Sequence, residues 1–253
     1  MNVAGAFYPA ESEEILRYFE HFNSLIKPPT LSSKAVIVPH AGYIYSGFTA
    51  NVAYNVLKNS SIKNYLIVGP SHRVGYDGSS ICNFRAYDTP FGELKSDLDM
   101  SEHLIEKFAL NSYEQAHLEH STEVQFPFIK HYMSDANVVE LVYSREDPSE
   151  LAKVLKYVYE KEDWGIVIST DLSHFYNLHD ANKLDAICKS AIENLDLSLL
   201  HKGCEACGII GVEAMMIVAR ELRLRSNILD YRTSADASED TSSVVGYLSA
   251  CFT

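Results

Sequence analysis

Three short runs of aliphatic residues in this chain each lead without a break into a polar, histidine-bearing segment. Val36-Ile37-Val38 runs into Pro39-His40-Ala41-Gly42-Tyr43. Leu66-Ile67-Val68 runs into Gly69-Pro70-Ser71-His72-Arg73, and Ile166-Val167-Ile168 into Ser169-Thr170-Asp171-Leu172-Ser173-His174. Uninterrupted apolar runs of this length are the mark of strands covered on both faces, where no position faces water. Val138-Val139-Glu140-Leu141-Val142 reads as a further strand, and 227–232 and 243–251 as strands of the tail.

Longer amphipathic stretches separate the strands. Ile15, Tyr18, Phe19, Phe22, Leu25 and Ile26 recur at helical spacing, which predicts a helix over 11–26, ended by Pro28 and Pro29. Residues 46–58 read as a second helix. Asp147-Pro148-Ser149-Glu150 is a helix start, with a capping aspartate, a proline in the first turn and a following carboxylate. Further helices are expected at 180–200 and 207–223. The segment 79–98 is less regular and reads as a hairpin or a long excursion. Strands alternating with helices imply an α/β fold, here a three-layer sandwich in which helices cover both faces of a mixed, mostly parallel sheet. No composition shift marks a linker, so residues 1–253 are expected to form a single domain.

Composition narrows the function classes. The net charge of −13 opposes binding to a phosphate backbone, so no nucleic-acid partner is expected. No apolar run approaches the roughly 18 residues of a membrane span, and Met1 to Pro9 lacks the basic and apolar regions of a signal peptide. The cysteines are Cys82, Cys188, Cys204, Cys207 and Cys251, an odd set that does not suggest a disulfide framework. A soluble, cytoplasmic protein without a membrane partner is the expectation.

In an open parallel sheet all strand carboxyl ends lie on one edge, and ligands bind in the crevice there. His40, His72, Asp171 and His174 can therefore converge although they are distant in sequence. A lone histidine after a strand is an ordinary turn residue, and Asp171 and Ser173 are good turn formers; three such segments on one edge favour a shared site. Two more polar segments stand out: Glu119-His120-Ser121-Thr122-Glu123, preceded by His117, and Cys204-Glu205-Ala206-Cys207-Gly208. Glu123 has equal claims as a site residue and as a helix cap. His21, His103, His131, His179 and His201 read as surface or helix-face residues. The isolated Cys204-x-x-Cys207 is a weak zinc or redox signal; one cysteine acting in a site while the other fills space is the simpler reading. Two histidines with one anionic ligand and open coordination positions is the pattern of non-haem iron sites, and also resembles catalytic zinc. A cysteine as the anion favours iron, zinc or cuprous copper over magnesium.

At these residues the sequence resembles the Memo family nearly end to end. The segments that carry the resemblance are Ala4-Gly5-Ala6-Phe7-Tyr8-Pro9, Val38-Pro39-His40-Ala41-Gly42-Tyr43, Gly69-Pro70-Ser71-His72, Glu119 to Glu123, Ser169 to His174, Cys207-Gly208 and Ser242-Ser243-Val244-Val245-Gly246-Tyr247. The resemblance implies a fold similar to the class III extradiol dioxygenases, which use non-haem ferrous iron. It implies a metal site of two histidines and a cysteine, falling on His40, His72 and Cys207, with Cys204 the lesser choice, and pocket residues on His120, Asp171 and His174. Iron or copper is the expected cofactor, with zinc as an alternative, and oxidoreductase chemistry on a small molecule the expected activity. The other reading is a metal-independent module that binds a peptide or protein in the same pocket, as the signalling role of animal Memo proteins suggests; Arg73 would offer such a ligand its charge. Microbial relatives further imply radical-SAM and AMMECR-type partners. The chain departs from some relatives at Arg73 and Gln125, where they carry histidine, and at Gly211, where a proline is common.

Overall fold

The structure is a computed structural model that describes residues 1–27 and 30–253. In chain order its elements are α1 (Ser12–Leu25), β1 (Ala35–Val38), α2 (Tyr43–Leu57), β2 (Asn64–Pro70), β3 (Ser79–Ile81), β4 (Ala86–Tyr87), β5 (Leu94–Ser96) and α3 (Leu98–Phe108). A 3₁₀ turn (Glu114–His117) precedes α4 (His120–Glu123), α5 (Phe126–Tyr132), β6 (Asn137–Tyr143), α6 (Pro148–Tyr159), β7 (Trp164–Ser169) and β8 (His174–Tyr176). The chain closes with α7 (Leu178–Asn194), α8 (Leu197–Leu200), α9 (Ile209–Glu221), β9 (Ser226–Thr233), α10 (Ala235–Ser238) and β10 (Val244–Phe252).

The strands form one sheet in the order β4-β5-β6-β2-β7-β1-β10-β8, with β3 on β6 and β9 on β10. The centre is parallel: β6 pairs with β2, β2 with β7, and β7 with β1. β10 runs antiparallel to β1, β8 and β9. The expected mixed, mostly parallel sheet is therefore what forms. Side-chain alternation along the buried strands divides the core in two. Val36, Val38, Tyr65, Ile67, Val138 and Val167 face α1, α2 and α5. Ala35, Ile37, Leu66, Val68, Val139, Ile166 and Ile168 face α6, α7 and α9. These strand interiors are almost fully excluded from water. Burying an aliphatic side chain of this size contributes roughly 1.5–3 kcal/mol, which is why the apolar runs require helices on both sides.

Local chemistry explains where the expected boundaries move. The Asp147 carboxylate accepts the Ser149 N–H at 2.8 Å, with Pro148 opening α6, as its sequence indicates. The helix expected at 46–58 begins earlier, at Tyr43, because Gly42 serves as its N-cap and the Tyr43 N–H finds the Phe7 carbonyl at 2.7 Å. The helix expected over 180–200 is interrupted: Leu195 takes a left-handed conformation, and Asp196 caps the new turn of α8. Within 79–98, β4 and β5 form the hairpin of the two alternatives, its tip closed by mutual backbone bonds between Thr89 and Gly92. Gly92 has φ +94°, a conformation that favours glycine. α1 ends at Leu25; Pro28 and Pro29, expected to end it, lie outside the described residues.

Candidate metal centre

Parallel pairing in register brings the strand ends together. Val38 at the end of β1 lies opposite Ser169 at the end of β7, and Val68 of β2 lies opposite Ile168. His40, Asp171 and His72 each follow within two residues of a strand end. Cys207 arrives from the other direction, on the loop before α9. That loop can approach because Gly208 has no side chain: a Cβ there would stand 2.6 Å from the Thr170 Cβ and 2.8 Å from the Ser169 carbonyl.

The imidazole of His40 is fully buried, with Nδ1 3.0 Å from Ser169 Oγ and Nε2 3.3 Å from Cys207 Sγ. Its backbone N–H donates to Asp171 Oδ1 at 2.8 Å, so the aspartate fixes the turn after β1. His72 is more open. Its Nδ1–H donates to Glu119 Oε1 at 3.1 Å and its backbone N–H to Glu119 Oε2 at 2.7 Å. His120 donates from Nδ1 to the same Glu119 Oε1 at 2.8 Å. The three rings are mutually close, with centroids 5.3 Å apart for His40 and His72, 5.4 Å for His40 and His120, and 4.6 Å for His72 and His120.

One ligand atom from each of His40, His72 and Cys207 lies within 4.8 Å of the others. Ligands about 2.1 and 2.3 Å from one ion, as nitrogen and sulfur are, stand about 3.1–3.6 Å apart at ordinary coordination angles. The 3.3 Å between His40 Nε2 and Cys207 Sγ falls in that range. His72, Glu119 and His120 also cluster at metal-binding separations. The carboxylate, however, already accepts two imidazole N–H groups and the backbone N–H groups of His72 and Ser121. Three of these donors converge on Oε1 and one on Oε2, so Glu119 acts as an orienting group for the two rings.

Electrostatics suit a soft, neutral donor set. Burial holds His40 well below the ordinary imidazole value, and the neighbouring His72 and His120 add to this, so it offers a lone pair at neutral pH. Burial and then Asp171 push the Cys207 thiol up to about 12, so a metal binding there would displace its proton. Burial alone would raise Glu119, but the bonds from His120 and His72 outweigh it and hold the carboxyl below its usual range. Asp171 is raised by burial, against the hydrogen bond from the His40 backbone.

The other expected pocket residues sit around this centre. Asp171 Oδ2 is 4.0 Å from His40 Nε2. His174, half-buried at the start of β8, is near enough for its charge to act on both His40 and Asp171. Phe7 lies against His120 with centroids 4.8 Å apart and also lines a neighbouring groove of about 530 Å³, with Gly42, Tyr43, Ile44 and Tyr45.

Several residues take roles the sequence reading did not give them. Cys204 is joined to Cys188 in a disulfide, which ties the Cys207 loop to α7 and removes Cys204 from the candidate ligands. It does not merely fill space. Glu123 is neither a site residue nor a cap: its buried carboxylate accepts the N–H groups of Asn2 and Val3 and the Tyr8 hydroxyl, fastening the segment that carries Phe7. His117 points into the core. Ser169, Glu119 and Gln125 hold the rings in ways the sequence did not assign; the signals were the place of Ser169 and Glu119 in segments already singled out and, for Gln125, its departure from relatives that carry histidine. Among the described residues no helix is long and apolar enough to cross a membrane.

The chain is similar to known proteins along nearly its whole length. The family described as "Memo-like protein" matches residues 1–251. A "MEMO1 family protein" of Aquifex aeolicus is 32% identical, the match covering 99% of this chain and 97% of the relative. One from Methanobrevibacter smithii is 34% identical over 99% and 98% of the two chains. Among solved structures, uncharacterized protein JW3007 of Escherichia coli K12 has a TM-score of 0.59 at 14% identity, covering 85% of this chain and 98% of its own, which supports the three-layer α/β fold. With a match along its whole length and these relatives beside it, the chain belongs to the Memo-like protein family.

Proposed function

We propose that this protein binds iron or copper through His40, His72 and Cys207 and carries out redox chemistry on a small molecule in the pocket beside them. The observation that supports this most is the convergence of two imidazoles and a thiol within 4.8 Å from three separate parts of the chain. Nothing in core packing calls for that combination. A bound ion would supply Lewis acidity and one-electron chemistry.

The surrounding residues have roles that follow from their positions. Glu119 keeps a proton on Nδ1 of both His72 and His120, leaving each Nε2 with a lone pair. His120 can therefore accept a substrate proton at Nε2 while its positive charge is stabilised by Glu119. Asp171, raised by burial, can hold a proton in the same space, and His174 stands as a second exchangeable base at its margin. Phe7 covers one side of His120 and limits the access of water there.

The test is elemental mass spectrometry on protein purified anaerobically without a histidine tag. Near-stoichiometric iron or copper is expected in the wild type and in Cys204→Ala, and its loss in Cys207→Ala and in His40→Ala/His72→Ala. Undiminished metal in the double variant would sink the ligand assignment. No metal after reconstitution with ferrous iron, cuprous copper or zinc would leave a metal-independent binding pocket as the better reading.

A further inference from the structure

We infer that Gln125 and Ser169 are positioning residues that lock His40 in its Nδ1–H tautomer, so that Nε2 always presents a lone pair toward Cys207 and His72. The inference deepens the proposed metal site and rests on that reading for its purpose. The tautomer itself follows from hydrogen-bond accounting in the protein alone.

The accounting starts at Pro39. Its carbonyl can only accept, and it lies 2.9 Å from Gln125 Nε2, which fixes that atom as the amide nitrogen. The other end of the amide agrees, since Gln125 Oε1 accepts the Tyr54 hydroxyl at 3.0 Å. The second N–H of Gln125 then points at Ser169 Oγ, 2.9 Å away, and must donate to it. Ser169 has one hydroxyl proton, and it goes to the Ser121 carbonyl, which again can only accept. Ser169 Oγ has thus given its proton and accepted one bond. Its remaining lone pair faces His40 Nδ1 at 3.0 Å, and only an N–H at Nδ1 can satisfy it.

All the side chains in this chain of bonds are inaccessible to water: Gln125, Ser169 and Tyr54 are 0% exposed and His40 is 2% exposed. They are shut off from bulk solvent, and a buried donor or acceptor left unpaired is costly. The opposite tautomer would set two lone pairs, on Nδ1 and Oγ, against each other. It would also place a proton on the nitrogen that faces Cys207. The sequence already marked position 125 as one where some relatives carry histidine; here the glutamine amide supplies a donor and an acceptor in one planar group, and both ends are used.

The experiment is long-range proton–nitrogen correlation NMR of the metal-free protein, with imidazole nitrogens labelled. Wild type should show His40 Nδ1 as the protonated nitrogen and Nε2 as the bare one. Gln125→Leu keeps most of the volume and frees Ser169 to turn its proton to His40; a second population protonated at Nε2 is expected. Ser169→Ala removes the acceptor and should do the same. In both variants the metal dissociation constant should rise about 10–100-fold, the usual effect of losing an outer partner of a ligating histidine. His72, oriented separately by Glu119, should keep its own signature in the same spectra and so reports whether the fold survives. A wild-type His40 protonated at Nε2 overturns the inference, as does an unchanged His40 spectrum in both variants. Correct tautomers in a protein that takes up no metal would instead overturn the proposed function and leave this inference standing.

Discussion

Two buried carboxylates in this molecule hold histidines, and they hold them to different ends. Glu119 accepts from Nδ1 of His72 and His120, whose rings lie beside His40 with centroids 5.3 and 5.4 Å from it. Glu140, from the middle of β6, accepts from Nδ1 of His117 at 2.8 Å. There the second nitrogen, Nε2, is met by Ser80 Oγ at 3.1 Å, and Thr122 bonds the other carboxylate oxygen. Both nitrogens of His117 have partners and both oxygens of Glu140 have partners, so the pair closes on itself inside the core. At Glu119, among the described residues, neither imidazole has a hydrogen-bond partner at its other nitrogen. His117 and His120 are three residues apart, and the difference between them is whether the far nitrogen has a protein partner. In the proposed metal site it is the open opposite nitrogen, and not the carboxylate alone, that sets His72 and His120 apart from His117.

The sharpest way to break this comparison is to remove the closed pair. His117→Ala leaves the Glu140 carboxylate buried beside a cavity and should destabilise the protein by about 3 kcal/mol, read from urea unfolding midpoints, with metal content unchanged. Loss of metal in that variant at intact stability would mean the two regions are not separate. A smaller effect is expected at the open pair. Glu119→Gln should keep the packing but present an amide N–H to one ring, weakening metal binding about 10–100-fold; isothermal titration with ferrous or cuprous ion would measure it, and unchanged affinity would deny Glu119 its orienting role. The smallest effect comes from pH. Metal-free Cys207 carries its proton up to about 12, whereas His40 is held neutral, well below the usual imidazole value. Binding should therefore release the Cys207 thiol proton, and affinity should rise about tenfold per pH unit through that proton. Chelator competition at pH 7, 8 and 9 would show it, and a flat profile would remove Cys207 from the ligands. Cys207→Ser should flatten the profile without touching the His117 pair.

The stability of the open pair has a pH signature of its own. Glu119 is held below its ordinary range, so its contribution to folding is complete above the usual carboxylate value and is lost as pH falls beneath it.

The four apolar runs, the helix start at Asp147 and the alternation of strands with helices are written in local residue patterns, because burial on two faces and capping are decided within a few residues. The convergence of His40, His72 and Asp171 was also legible, since parallel strands of one sheet end on one edge. Cys207, by contrast, was placed only through the family resemblance; spacing left it level with Cys204 until the structure tied Cys204 to Cys188.

The sequence by itself determined the layers, the strands and the edge at which polar side chains gather, because those depend on periodicity and on the direction of the chain. Tertiary structure alone decided which histidine keeps a free nitrogen, which carboxylate orients it and which cysteine stands 3.3 Å from His40. Those outcomes depend on partners contributed by distant segments, such as Ser80 for His117 and Ser169 for His40, and a hydrogen bond is satisfied or left open only when the folded chain has brought both of its ends together.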